Sequence, residues 1–184
     1  MLLSIKRHKN VEEVYFDFKA LSEKHLPLLT QWLNDSHLQE WWSSGEITLE
    51  EVRAKYLPRI MGDDAARPYI IYLEKHPFGY IQYYYASEGD PNWWPDKPEH
   101  DVIGIDQFIA DKTLLGKGYG TLMIIQFIHY LKSKISISQV RVDPRADNSR
   151  AIRCYEKVGF RKTHDIMTPD GPALMLQLDI NQLT

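Results

Sequence analysis

A chain of 184 residues with 43% apolar and 26% charged residues has the composition of a soluble globular protein and is long enough for one domain with a substantial core. A formal net charge of −3 argues against nonspecific binding to nucleic acid, and no apolar run approaches the length of a membrane span. The single cysteine, Cys154, allows no internal disulfide, and the opening "MLLSIKRHKN" lacks the long apolar core of a secretory leader, so a cytoplasmic location is expected. No repeat, low-complexity tract or linker divides the chain, and residues 1–184 are expected to form a single domain.

The elements follow from hydrophobic period and punctuation. Alternation over 12–21 predicts a strand. Ser22 is placed to cap a helix through about Leu33, with Leu26, Leu29, Trp32 and Leu33 on one face. A short helix is expected over 36–42, opened by Ser36. Thr48 and Glu51 have capping-box spacing and predict a helix to about Met61, kinked or shortened by Pro58. Residues 67–86 read as two strands joined around Lys75–Pro77. Residues 87–100 are a loop rich in proline, acid and tryptophan, and 101–110 form another strand. A glycine segment leads into a helix ending near Ser133. Then come a strand (137–144), a helix (148–160) closed near Gly159, a turn at 168–171 and a last strand (173–180). The pattern is mixed α/β.

The stretch "LLGKGYGTLMIIQFIHYL" (114–131) sets Gly116, Gly118 and Gly120 directly before the helix. The first turn of a helix leaves backbone N–H groups without partners and carries partial positive charge, so a phosphate can bind there. Glycines let the backbone turn and let a phosphate come close. The spacing matches neither the Walker A loop nor the Rossmann glycine motif, and a glycine turn before a core helix would read the same way.

A second segment, "DPRADNSRAIRCYEKVGF" (143–160), shifts the balance toward the phosphate reading. Together with "LGKGYG" it resembles the GNAT acyl-CoA acetyltransferases. The resemblance implies a mixed, mostly antiparallel central sheet flanked by helices, with a cofactor slot where two central strands splay. It also implies acetyl-CoA as co-substrate. The pyrophosphate would lie on the loop formed by Leu115, Gly116, Lys117, Gly118, Tyr119, Gly120 and Thr121. The helix bearing Asn148, Ala151, Tyr155, Gly159 and Phe160 would close the other side, and strand amides around Phe108, Ile109 and Ala110 would polarise the thioester carbonyl. Leu115 departs from the family, which usually has Arg or Gln there, so a side-chain contact is lost while the backbone amides remain.

Further segments carry the resemblance beyond the superfamily: "WLNDSHLQEWW" (32–42), "YLP" (56–58), "PYI" (68–70), "GY" (79–80), "WW" (93–94), "GIDQ" (104–107), "NSRAIRCYEK" (148–157) and "TPDGPA" (168–173). They run in order from about residue 13 and are similar to the aminoglycoside 6′-N-acetyltransferases. Siderophore-assembly acetyltransferases, which acylate a hydroxylamine, share part of the pattern. A non-catalytic ligand-binding domain of the same fold is the alternative of another class.

Amine acetylation needs a proton taken from the amine and one given to the departing thiolate. Asp106 is the candidate base or amine-orienting group, and by resemblance it lies beside the acetyl group. An ordinary carboxyl near pKa ~4 is a poor base for an ammonium, so a water relay or a raised pKa is required. A strand-end acid that merely binds a cation is the simpler reading. Tyr155 is the candidate acid, protonated at neutral pH and, by resemblance, near the coenzyme sulfur; a packed helix aromatic is its simpler reading. Cys154 is adjacent to Tyr155, roughly 100° away around the helix, and reads as a buried structural thiol. The seven histidines show no metal-ligand spacing, and no metal is expected.

The acceptor side is acidic and aromatic. Asp90, Asp96, Glu99, Asp101 and Asp106 crowd one loop and strand, with Asp143 and Asp170 at other strand ends, and Trp41, Trp42, Trp93 and Trp94 offer flat faces. Such a set suits a polycationic ring compound. By resemblance Trp93 and Asp170 border the acceptor pocket, with Asp90, Asp143, Tyr56 and Trp42 as further substrate-binding candidates. The expected partner is a small polycationic acceptor, an aminoglycoside, with no nucleic acid and no membrane, in a monomer or homodimer.

Overall fold

The computed structural model of the protein describes residues 4–7, 10–42, 45–89, 93–94 and 98–183. A two-stranded ribbon of β1 (Ser4–Arg7) and β2 (Asn10–Glu13) precedes the main sheet. The strand expected over 12–21 is therefore two: β2 ends at Glu13, and β3 (Phe16–Ala20) joins the main sheet. Ser22 caps a 3-10 turn, Glu23–His25, through a box with His25, and α1 (Leu26–Leu33) follows with Pro27 in its first turn. All four residues assigned to its inner face, Leu26, Leu29, Trp32 and Leu33, are buried. The next helix, α2 (Ser36–Gln39), opens at Ser36 as expected, with Asp35 at the N-cap position, and ends three residues short of the expected 42.

The helix α3 (Leu49–Met61) has the anticipated box: the Thr48 hydroxyl accepts from the Glu51 N–H, and the Glu51 carboxylate accepts from the Thr48 N–H at 2.8 Å. Pro58 does not end it. The missing bond falls on the carbonyl of solvent-exposed Ala54, and the helix continues until Gly62 closes it at φ 86°. β4 (Arg67–Leu73) and β5 (His76–Tyr85) form the expected hairpin, but the turn is Glu74–Lys75, both at positive φ, and Pro77 lies inside β5. Two positive φ values match the twist of a two-residue hairpin turn, which the proline obscures in the sequence.

After β6 (Val102–Ile109) come α4 (Tyr119–Lys132), β7 (Gln139–Val142), α5 (Ser149–Val158), β8 (Arg161–Thr168) and β9 (Gly171–Asp179). β8 is absent from the sequence reading because it is an edge strand whose residues are nearly all exposed, leaving no alternation to detect. The seven main strands lie in the order β3-β4-β5-β6-β7-β9-β8, antiparallel except between β6 and β7. One face packs on α4 through Ile81, Ile103, Ile105, Phe127 and Ile128; the other packs on α1 and α3 through Leu29, Val52, Tyr56, Ile70, Tyr80 and Phe108. Among the described residues no helix is long and apolar enough to cross a membrane.

Only three residue pairs join the parallel strands: Val102, Ile103 and Gly104 face Gln139, Val140 and Arg141. β6 then runs on to Ile109 with β5 as its partner, and the sheet opens beside it. Just before the opening, Gly104 makes room for two aromatic rings. A Cβ there would lie 2.5 Å from Tyr84 Cε2 and 2.7 Å from Trp94 Cη2. Gly104→Ala should therefore destabilise the fold by about 1–3 kcal/mol, read as a lower urea midpoint. An unchanged midpoint would mean that the Tyr84–Trp94 pair can move aside without cost.

Candidate active site

Two clefts meet at the opened edge of β6. The first, about 400 Å³, lies between the glycine loop, α2 and α5. Gly116 and Gly118 hold φ 74° and 88°, and a Cβ on either would meet nothing within 4 Å. Gly118 is the N-cap of α4 and offers no side-chain oxygen to the first turn, so the helix end presents its amides to the cleft. Leu115, Gly116, Gly118, Gly120, Thr121, Phe108, Ile109, Asn148 and Ala151 all line this space. Asn148 also has a local task, since its side chain accepts from the Ala151 N–H at 3.0 Å and caps α5.

Three residues assigned to this loop and strand do not line the cleft. Lys117 is exposed outside the wall, and the Tyr119 ring is buried between Phe16 and Phe78. The Ala110 N–H donates to Phe78 O at 3.0 Å. The antiparallel register with β5 repeats that bond at every second residue, so the Phe108 N–H also faces β5 while those of Gln107 and Ile109 face the opening. Of the three strand amides expected to polarise a carbonyl, only that of Ile109 points the right way. Its carbonyl lies 3.2 Å from His37 Nε2.

Sequence reading missed several residues here. Arg150, Arg153 and Lys157 line the cleft from α5, at the i, i+3, i+7 spacing of one helix face, a signal that was legible. No carboxylate lies among the lining residues. Gln107 Nε2 donates to the Tyr155 hydroxyl at 2.5 Å, and Gln107 Oε1 is buried without a hydrogen-bond partner among the described residues. Cys154 is half-buried and lines the cleft too, its Sγ 3.6 Å from Thr121 Oγ1, and burial pushes its thiol above the usual range. Helix-end amides, three cations and an unpaired acceptor atom fit an extended ligand with phosphates and amide donors.

The second cleft, about 640 Å³, opens on the other face of the sheet. Asp106, Asp170, Trp42 and Trp93, four of the candidate acceptor residues, line it. Asp106 accepts from Gln82 Nε2 at 2.8 Å. Burial raises its pKa, opposed by the Gln82 bond and by Arg59 and Lys55. Asp143 stands behind Trp93, whose indole N–H donates to it. Burial, and then the neighbouring Asp106, push its pKa up to about 7. Tyr56 is fully buried beneath this cleft in the core shared with Tyr80, and is not part of the wall. Asp90 and Asp96 lie outside the described residues. Asp101 belongs to a separate depression beside Glu88, His100 and Ser136, and Glu99 is simply exposed. The described acids Glu99, Asp101 and Asp106 thus do not share one cleft.

Lys55, Arg59, Gln82, Tyr84 and Asp64 are further lining residues that sequence reading missed. Trp41 and Trp42 line both clefts. Asp106 and Gln107, adjacent on β6, project to opposite faces, so Asp106 faces the second cleft while Gln107 carries Tyr155 on the first. Burial pushes the Tyr155 hydroxyl pKa far up, so it is protonated across the physiological range. Among the described residues no group of three or more His, Cys, Asp or Glu side chains could hold a metal ion.

The acetyltransferase (GNAT) domain family matches residues 22–168. Aminoglycoside N(6')-acetyltransferase type 1 of Klebsiella pneumoniae is 39% identical over 160 residues, which span 86% of this chain and 80% of that one. The structure of AAC(6')-Ib in complex with paromomycin and acetyl-CoA superimposes with a TM-score of 0.85 at 37% identity, covering 90% of this chain and 94% of that one. The complex of AAC(6')-Ib with coenzyme A and kanamycin gives 0.84 at 36% identity, covering 91% and 96%. The chain belongs to the GNAT acetyltransferase family, in the company of the aminoglycoside N(6')-acetyltransferases.

Proposed function

We propose that the protein transfers the acetyl group of acetyl-CoA to the 6′-amine of aminoglycosides, and so confers resistance to them, acting in the cytoplasm as a single domain. The observation that carries this reading is the meeting of the two clefts at β6, with a phosphate-suited cleft on one side and an acidic, aromatic one on the other. The kinship with enzymes named for that reaction supports it.

When bound, acetyl-CoA supplies the activated acetyl thioester. The amides at the start of α4, with Arg150, Arg153 and Lys157, hold its phosphates. The Ile109 N–H donates to the thioester oxygen as charge builds there. Asp106 orients the acceptor amine and takes its proton, directly or through water, and its burial makes it a stronger base than an exposed carboxylate. Tyr155 accepts from Gln107, which leaves its own proton for the departing thiolate. Asp170 and Trp93 hold the acceptor's cationic groups and ring face, with Trp42 between the two clefts.

Tyr155→Phe should lower kcat by roughly 10²–10⁴-fold with little change in acceptor KM. Steady-state thiol release measures this, and a wild-type kcat would reduce Tyr155 to a packing role. Asp170→Ala should raise the acceptor KM more than it lowers kcat, because a peripheral charge contact serves ground and transition states alike. Asp106→Asn should do the reverse. Aminoglycosides with a 6′-amine should turn over, and 6′-hydroxyl analogues should bind but turn over poorly. Equal turnover of both would refute the regiochemistry, and turnover of a hydroxylamine alone would move the assignment to siderophore precursors.

A further inference from the structure

Arg59 is a cation in the wall of a cleft proposed to receive a polycation. As an acceptor contact it would be repulsive, and its bonds point elsewhere. Its Nη1 donates to Gln82 Oε1 at 2.9 Å, its Nε lies 3.6 Å from Asp64 Oδ2, and its guanidinium packs 5.2 Å from the Tyr56 ring centre. The side chain is only 18% exposed. A buried cation of this kind serves the structure around it rather than the ligand in front of it.

The structure around it is Gln82, which is 6% exposed. Gln82 Oε1 accepts two hydrogen bonds, from Arg59 Nη1 and from the Tyr80 hydroxyl at 2.6 Å. The guanidinium, which can only donate, and the Asp106 carboxylate, which accepts, settle which way the amide lies. Turned over, its NH₂ would face the guanidinium, and its oxygen would face a carboxylate. Its Nε2 therefore has one direction open to it, toward Asp106 Oδ2 at 2.8 Å. One oxygen of Asp106 is tied to the sheet by a donor that cannot rotate away.

Resting on the reading that Asp106 serves the acceptor amine, we propose that Gln82, locked by Arg59 and Tyr80, is the positioning residue that aims the Asp106 carboxylate. Other groups act on the same carboxyl. Lys55 and Arg59 on α3 favour its charge; Asp143, just past the end of β7, is a neighbouring carboxyl whose own pKa Asp106 raises; and Tyr56, Tyr80, Tyr84 and Tyr155 surround it as neutral hydroxyls. Burial raises the pKa, and Gln82 is the largest influence lowering it. Loss of the Gln82 donor leaves burial less opposed, so the carboxyl should hold its proton to higher pH.

The test uses the full chain labelled with ¹³Cγ-aspartate, with the Asp106 resonance assigned by its loss in Asp106→Asn. In Gln82→Leu the Asp106 titration should move up by roughly one pH unit. In Arg59→Met it should move the same way, and Arg59→Lys, which keeps the charge, should recover part of the shift. The acid limb of the kcat profile should move in parallel, with kcat falling more than acceptor KM rises. An Asp106 titration unmoved in a folded Gln82→Leu protein overturns the proposal. Should that variant fail to fold, an unmoved titration in Arg59→Met overturns it equally. A shifted titration in a protein that acetylates no aminoglycoside would keep the relay and discard the acceptor assignment.

Discussion

The parting of β6 from β7 after three residue pairs is the constraint on which the rest of the molecule depends. A strand in the middle of a sheet ordinarily spends both rows of backbone groups on its neighbours. Here β6 keeps β5 on one side and loses β7 on the other, so the N–H groups of Gln107 and Ile109 face open space. The opening survives because both sheet faces are packed by separate cores, one on α4 and one on α1 and α3, that do not need the missing pairs. Alternation along β6 then puts Asp106 into one cleft and Gln107 beside the other.

The two clefts are divided by charge. The cations of α5 line the first, while carboxylates predominate in the second, whose Lys55 and Arg59 come from α3. Ligands of opposite charge would be drawn to opposite sides of one strand, and that separation keeps donor and acceptor from competing. Trp41 and Trp42 form the shared wall. Arg145 lies 5.1 Å over the Trp41 ring and donates to Glu40 O, and Asp147 pairs with its guanidinium at 2.7 Å. The segment after α2 is thereby tied to the loop before α5, across the junction.

The polar groups nearest β6 are arranged in pairs with different environments. The Asp106 charge raises the pKa of Asp143, and burial raises both, yet only Asp106 has the cations of α3 beside it. Asp143 is held instead by an indole N–H. The cations favour ionised Asp106, and the elevated pKa of Asp143 favours its proton. Gln82 and Gln107 play parallel parts on the two faces, each donating to the titratable group at the centre of its cleft.

What the sequence by itself determined was whatever depends on short range. The Thr48–Glu51 box, the buried face of α1, the glycine turn into α4 and the Gly159 stop are decided by residues within four positions of one another. Asp106, Tyr155, Asp170 and Trp93, which line the two clefts, stood out through short motifs that resemble a family rather than through any local physical pattern. Tertiary structure decided the rest. The glycine motif does not separate Tyr119, whose ring is core, from the glycines on either side, nor does "YLP" reveal that Tyr56 lies beneath the cleft floor. β8 has no apolar alternation and exists because β9 offers it an edge. Arg59, Gln82 and Asp106 lie on α3, β5 and β6, 23 and 24 residues apart in turn. Their hydrogen bonds exist only because sheet register and helix packing bring three distant segments within 3 Å, and no local pattern in the chain encodes that distance.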